Sequence, residues 1–285
     1  MTDEMIRPVL EGEAFLAEVR GVRRAPGWRL WWLGQSGFLV QWQNRHLLLD
    51  PYLSDSLTKK YAATDKPHVR MTARVIAPER LDFIDLVTSS HNHTDHLDGE
   101  TLGPLRAANP GLHLVIPEAN RAFVAERLGS DPAWPLGVDD GTTVSAAGFS
   151  LTGVAAAHEE LERDGDGRHK CLGYLVRFGG RTIFHSGDAA PYEGMVGRLR
   201  ELAGPAGIDL ALLPINGRLP ERRVPGNFWG REAARLAKEV GARLAIPMHY
   251  EMFTFNTESP DEFVTEAKRI GQPCRVLRCG ERWEG

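Results

Sequence analysis

The stretch Ser90-His91-Asn92-His93-Thr94-Asp95-His96-Leu97-Asp98 gathers three imidazoles and two carboxylates directly behind the apolar run Phe83-Ile84-Asp85-Leu86-Val87-Thr88. The run is rich in β-favouring residues and reads as a buried strand that delivers the cluster at its far end. If extended backbone persists past Ser90, side-chain alternation aims His91 and His93 at one point. Asp98 ahead of Gly99-Glu100-Thr101 reads as the N-cap of a helix. The chain therefore turns between His93 and Asp98, and Asp95 and His96 face a second point close to the first. Imidazole and carboxylate together are what borderline divalent cations such as Zn, Mn and Fe take as ligands. A two-metal site needs more donors than this stretch holds, with a carboxylate between the ions. The fold must bring other strand ends to it.

Three such ends follow. His158 closes Gly153-Val154-Ala155-Ala156-Ala157, Asp188 follows Ile183-Phe184-His185-Ser186-Gly187, and His249 follows Leu244-Ala245-Ile246-Pro247-Met248. Singly, each is an ordinary solvated histidine or a Ser-Gly-Asp turn. With the cluster they make a donor set for two ions.

The remaining pattern sets the architecture. Residues 1–27 read as an N-terminal arm with a polar helix from Glu11 to Arg20. Strands are expected at Trp28–Leu33, Phe38–Trp42 and Arg45–Asp50, the first two around the Gly34-Gln35-Ser36-Gly37 turn. The 52–78 stretch lacks a clear period and is too long for an idle connection, which suits a lid or binding loop near the site, with a solvated decoration or subunit contact as the alternative. Helix, strand and helix follow over residues 98–128, then short strands at 142–144, 149–154, 173–178 and 182–184, the last two a hairpin through Gly179-Gly180. Strand 208–213, helix 229–240, strand 243–246, helix 260–270 and strand 275–277 finish the chain. Strands first and helices later occurs twice. This predicts an α+β fold of two similar halves, sheets face to face and helices outside, forming a single four-layer domain over residues 1–285.

Composition narrows the partners. The net charge of −4 gives no general attraction for nucleic acid or an anionic membrane, and no apolar run approaches a membrane span. The N-terminus carries no secretory pattern. Cys171, Cys274 and Cys279 form no CxxC pair, which suits inert thiols and a cytoplasmic location. The expected partner is a small molecule, with self-association into a homo-oligomer left open.

His91-Asn92-His93-Thr94-Asp95-His96, His158, Asp188 and His249 together resemble the metal-ligand signature of the metallo-β-lactamase fold superfamily. The resemblance implies an αββα sandwich with the site at one edge between the sheets. It also implies that His91, His93 and His158 hold one ion, that Asp95, His96 and His249 hold a second, and that Asp188 bridges them. Asp50-Pro51, Gly187-Asp188, Pro214-Ile215-Asn216-Gly217-Arg218 and the segment from Pro247 to Thr257 resemble the L-ascorbate-6-phosphate lactonase branch, whose members open a sugar-acid lactone and resemble manganese enzymes.

Two divalent ions of this kind bring the pKa of a shared water toward about 7, so hydroxide is the nucleophile and no Ser or Cys is needed. Asp95 and Asp188 then orient the water as well as ligate. The all-N/O donor set fits Mn and Zn alike. A phosphorylated substrate needs a cation, for which Arg218, Arg222 and Arg223 are the first candidates, with Lys59 and Lys60 behind them. Tyr250 could donate to the leaving alkoxide, although an ordinary packing role is the leading reading for it, and Asn256 is a further candidate contact. His185 is expected to pack or to support the ligands. His46, His68, His113 and His169 fit no pattern. The leading expectation is a metal-dependent lactonase. A phosphodiesterase of the same fold acting on RNA or a lipid headgroup, a di-iron redox protein and a non-catalytic binding module are the alternatives.

Overall fold

The structure is a computed structural model describing residues 5–285. Helix α1 (Gly12–Gly21) buries Phe15, Leu16 and Val19, and Phe15 meets Trp31 edge to face at 6.4 Å. A meander follows, β1 (Trp28–Gly34), β2 (Gly37–Trp42) and β3 (Arg45–Leu49), antiparallel throughout. Helix α2 (Ser56–Tyr61) is the only α-helix of the 52–78 stretch. Strand β4 (Leu86–Thr88), helix α3 (Gly99–Ala108), strand β5 (His113–Pro117), helix α4 (Arg121–Leu128) and strand β6 (Leu136–Val138) then alternate. Their strands are parallel, because a helix returns the chain to the same edge before each new strand.

The second half repeats the scheme. Strands β7 (Thr143–Ala146), β8 (Phe149–Ala155), β9 (Leu172–Phe178) and β10 (Arg181–His185) form a meander. Helix α5 (Met195–Ala203) leads to β11 (Leu210–Pro214), and helix α6 (Gly230–Glu239) to β12 (Leu244–Met248), both parallel to β10. Helix α7 (Asp261–Ile270) lies on α6. The last strand, β13 (Arg282–Glu284), returns to the first sheet beside β1.

The result is a seven-stranded mixed sheet, β13-β1-β2-β3-β4-β5-β6, and a six-stranded one, β12-β11-β10-β9-β8-β7. Aromatic side chains of the two sheets interlock. Trp28 and Trp42 meet Phe178 at 5.5 and 5.7 Å, and Trp42 meets Phe149 at 6.3 Å. One apolar cluster runs through both sheets and their helices. This is the expected α+β arrangement of two face-to-face sheets with flanking helices.

Some boundaries differ. Residues 275–277 form no strand and join the sheet region only through a bridge at Cys274; Arg282–Glu284 pair instead. Val276 and Leu277 still pack on the core, so the apolar signal there is burial rather than a ladder. Leu136–Val138 is a strand that so short a run does not announce. The first four residues of the N-terminal arm lie outside the described residues; the rest is tied down by Ile6 N to Met71 O and Gly12 N to Val75 O, both 2.8 Å. The three cysteines are free. No helix of the described residues is long and apolar enough to cross a membrane.

Candidate metal centre

Strand direction explains where the site lies. β1, β3 and β4 point one way in the first sheet, and β8, β10 and β12 share a direction in the second. Their C-terminal ends release Gln35, Asp50, the His91 cluster, His158, Asp188 and His249 respectively. Within each sheet these chemistry-bearing residues therefore leave from strand ends of one direction.

The cluster does not continue β4 as extended chain. Regular pairing stops at Thr88, and a turn closed by His93 O accepting from His96 N at 3.0 Å and from Leu97 N at 2.8 Å folds the segment back. His91 and His93 converge through this turn rather than through strand alternation, with ring centroids 4.6 Å apart. Asp98 caps α3 as expected, accepting from Glu100 N at 3.3 Å.

All seven expected ligands come together in two groups, His91, His93 and His158, and Asp95, His96, Asp188 and His249, with potential ligand atoms within 4.8 Å of one another in each. Asp188 lies between them. Its Oδ1 is 3.2 Å from His96 Nε2, and its Oδ2 is 3.2 Å from His249 Nε2 and 3.8 Å from His158 Nε2. Gly187 makes this approach feasible: it has a positive φ of +60°, and a Cβ there would stand 2.6 Å from Ser90 Cβ and 3.0 Å from Leu172 O.

Supporting contacts set the imidazole tautomers. Carbonyls and carboxylates only accept here, so His158 Nδ1–H donates to Gly226 O at 3.1 Å and His96 Nδ1–H to Asp50 Oδ2 at 2.8 Å. In both rings Nε2 is left toward the centre. Asp50, fully buried, also accepts from Ser90 N at 3.1 Å and Thr88 Oγ1 at 2.7 Å. His185 supports from behind, with Nε2 2.8 Å from Ser36 O, matching its expected packing role.

The electrostatics suit cations. Burial pushes His91 well below the usual imidazole range, helped by His96, His93 and His158, and takes His158 down to about 4. Both are neutral donors at pH 7. Burial opposes charge on Asp188 and Asp95, yet neighbouring imidazoles hold both carboxyls below the carboxylate range; Asp188 and Asp95 in turn raise His249 to about 9. Protons on His96 and His249 thus balance charge where a bound cation would do so. His91 Nε2 is buried without a hydrogen-bond partner among the described residues, as a ligand atom awaiting a metal would be. The donor set fits divalent ions such as Mn or Zn.

Above the groups lies a cavity of about 460 Å³. The 52–78 stretch forms one wall through Leu57, Lys60, Tyr61, Lys66 and His68. That wall has its own small core of Tyr52, Leu57, Met252 and Phe253, and Arg70 staples it by donating to Asp55 Oδ1 at 2.8 Å and Ser54 O at 2.6 Å.

The expected substrate contacts divide. Arg218 makes a bidentate pair with Glu232 at 2.6 and 2.7 Å and does not line the cavity. Tyr250 is 2% exposed, its hydroxyl donates to Leu277 O, and its ring packs at a tilt against Trp32, so it cannot reach a leaving group. Arg222 lines the cavity, but its guanidinium is spent on Asn216 O, Thr257 O and Glu258. Arg223 and Asn256 also line it; Arg223 pairs across the mouth with Asp65, and Asn256 Oδ1 accepts from Asn216 at 2.9 Å. Lys59 is occupied by Glu100 at 2.7 Å. Lys60 and Lys66 line the cavity with no ion-pair partner among the described residues.

Sequence reasoning missed Gln35. It is 1% exposed with φ +52°, and its side-chain amide stands 2.8 Å from Asp95 Oδ2 and 2.9 Å from His249 Nε2. Its backbone carbonyl accepts from His249 N at 2.9 Å. A polar residue between two turn glycines was the only sequence signal.

The chain matches the family model of the β-lactamase superfamily domain over residues 45–250. It is 31% identical over 265 residues to a protein of Opitutus terrae described as a metal-dependent hydrolase, an alignment covering 90% of this chain and 99% of that one. In fold it resembles a metallo hydrolase of the archaeon Ignicoccus hospitalis (TM-score 0.64, 21% identity, 90% of this chain and 98% of that one). It likewise resembles an isothiocyanate hydrolase from Delia radicum gut bacteria (TM-score 0.67, 18% identity, 90% and 98%). The chain belongs to the metallo-β-lactamase fold superfamily, beside relatives described as metal-dependent hydrolases.

Proposed function

We propose that this chain is a metal-dependent hydrolase that opens the ring of a sugar-acid lactone, L-ascorbate 6-phosphate or a related small anion. The reading rests on one observation above others: the two donor groups open into a cavity with an aromatic wall and two lysines, Lys60 and Lys66, that have no ion-pair partner among the described residues. In this reading His91, His93 and His158 would hold one ion, Asp95, His96 and His249 would hold a second, and Asp188, lying between the two groups, would serve as a donor to them.

Bound divalent ions supply Lewis acidity and an acidified water. The rest of the work falls to the chain. Asp95 and Asp188, kept ionised by their imidazole neighbours, orient the attacking water. Lys60 and Lys66 attract the phosphate or other anionic group of the substrate and hold its ring over the donors. Leu57, Phe253 and Phe255 cover the apolar ring face and exclude bulk water.

The same lysines also favour a phosphodiester, which keeps a phosphodiesterase as the second reading. Protein reconstituted with Mn or with Zn, offered a panel of sugar lactones and bis-p-nitrophenyl phosphate, separates the two. Lactone turnover is expected; turnover of the phosphodiester with none of any lactone would replace the lactonase reading.

A further inference from the structure

The cavity wall holds an imidazole that the metal centre does not use. His68 is half-buried and sits in an aromatic frame, stacked on Tyr61 at 4.2 Å and 20° and met edge-on by Phe253 at 5.1 Å and Phe255 at 4.5 Å. Its backbone carbonyl accepts from Thr58 Oγ1 at 2.8 Å, so both backbone and ring are held. A phenyl ring would fill such a frame without the cost of desolvating two nitrogens. The imidazole therefore has polar work to do.

The direction of that work follows from one hydrogen bond. Nδ1 lies 3.2 Å from Lys66 O, which can only accept, so Nδ1 carries the proton. Burial keeps the ring below its usual pKa and hence neutral at pH 7. In that tautomer Nε2 is an acceptor, and it has no hydrogen-bond partner among the described residues. The side chain lines the same cavity as Asp95 and Asp188.

We infer that His68 Nε2, framed by Tyr61 and Phe255, reads a hydroxyl group on the ligand by accepting its hydrogen bond. The assignment rests on the small-molecule hydrolase reading above and adds a division of labour to it. A neutral acceptor does not hold a carboxylate or phosphate, whose oxygens also only accept. Those groups go to Lys60 and Lys66, while His68 selects hydroxylated compounds over bare ones. The flanking rings pack against the C–H face of the same ligand.

The test uses the full metal-loaded chain and two probes of similar length and equal charge, D-gluconate and hexanoate, titrated calorimetrically into wild type, His68→Phe and His68→Gln. Phe keeps the aromatic packing and removes the acceptor; Gln restores one. His68→Phe is expected to lose about tenfold in gluconate affinity, the worth of one neutral hydrogen bond, with hexanoate unchanged and His68→Gln close to wild type. A His68→Phe protein that binds both probes as wild type does, or loses both equally, overturns the assignment, as does failure of wild type to prefer gluconate. In parallel, the KM for glucono-δ-lactone should rise in His68→Phe while that for δ-valerolactone does not. If no lactone is turned over by any form, the lactonase reading falls, and the binding comparison still decides the role of His68.

Discussion

Gln35 carries an uncommon combination for a turn residue: a left-handed backbone, near-complete burial, and a side-chain amide between the candidate ligands Asp95 and His249. Its carboxamide orients Asp95 and, through the backbone link to His249, ties the first β-turn to the last ligand loop. Gln35→Ala is expected to weaken one of two metal-binding steps about tenfold while sparing the other, measured by competition with a chromophoric chelator. Equal weakening of both steps, or of neither, would remove Gln35 from this role. The seven candidate ligands were legible in the sequence because metal chemistry restricts residue type, and histidines at strand ends stand out. Gln35 and His68 were not, since each acts through contacts that only the folded chain creates. Arg218 misled for the converse reason, whereas Tyr250 packs in the way its leading reading expects. Proximity in sequence to the site says nothing of where a long side chain finds its partner, and Glu232 captures Arg218.

Strand β3 shows how an element can carry a cost unrelated to the site. His46 is fully buried, packed against Phe83 at 4.8 Å, with neither ring nitrogen hydrogen-bonded among the described residues and Asp85 3.9 Å away. Burial, with Arg23 adding to it, lowers its pKa from 6.5 to about 4. Above pH 6.5 both folded and unfolded chains are neutral here and nothing is lost. As pH falls from 6.5 towards 4, the unfolded chain takes up a proton that the folded one refuses, which costs roughly 3 kcal/mol by the lower limit. His46→Leu should therefore flatten the loss of stability between pH 7 and pH 4.5 in urea titrations; an unchanged slope would contradict this. The elements themselves were largely legible. The meanders and amphipathic helices follow period and caps, whereas β13 was missed because its pairing with β1 joins sequence ends more than 240 residues apart, as in Trp31 with Arg282. The 52–78 stretch gave no period because its order comes from side-chain staples within it and from contacts with residues 251–255 rather than from a repeating element.

At the scale of the molecule, two meander-then-crossover halves place strand ends of like direction side by side, and the candidate centre occupies the seam. His91, His93, Asp95 and His96 come from the first half, and His158, Asp188 and His249 from the second. Neither half holds a complete donor set under the proposed division, so metal binding should report on the docking of the two halves as well as on chemistry. Binding to the folded state alone would stabilise the chain in proportion to ligand excess, about 2.7 kcal/mol at a hundredfold excess over Kd. The most direct test of the central claim is a titration of metal-stripped protein with Mn and with Zn, read by calorimetry and by metal content after gel filtration, alongside Asp188→Ala. The account predicts two ions per wild-type chain, a rise in thermal stability on binding, and loss of both tight binding and hydrolysis in Asp188→Ala. A wild-type chain that binds no ion, or an Asp188→Ala chain that retains two ions and full activity, would contradict it.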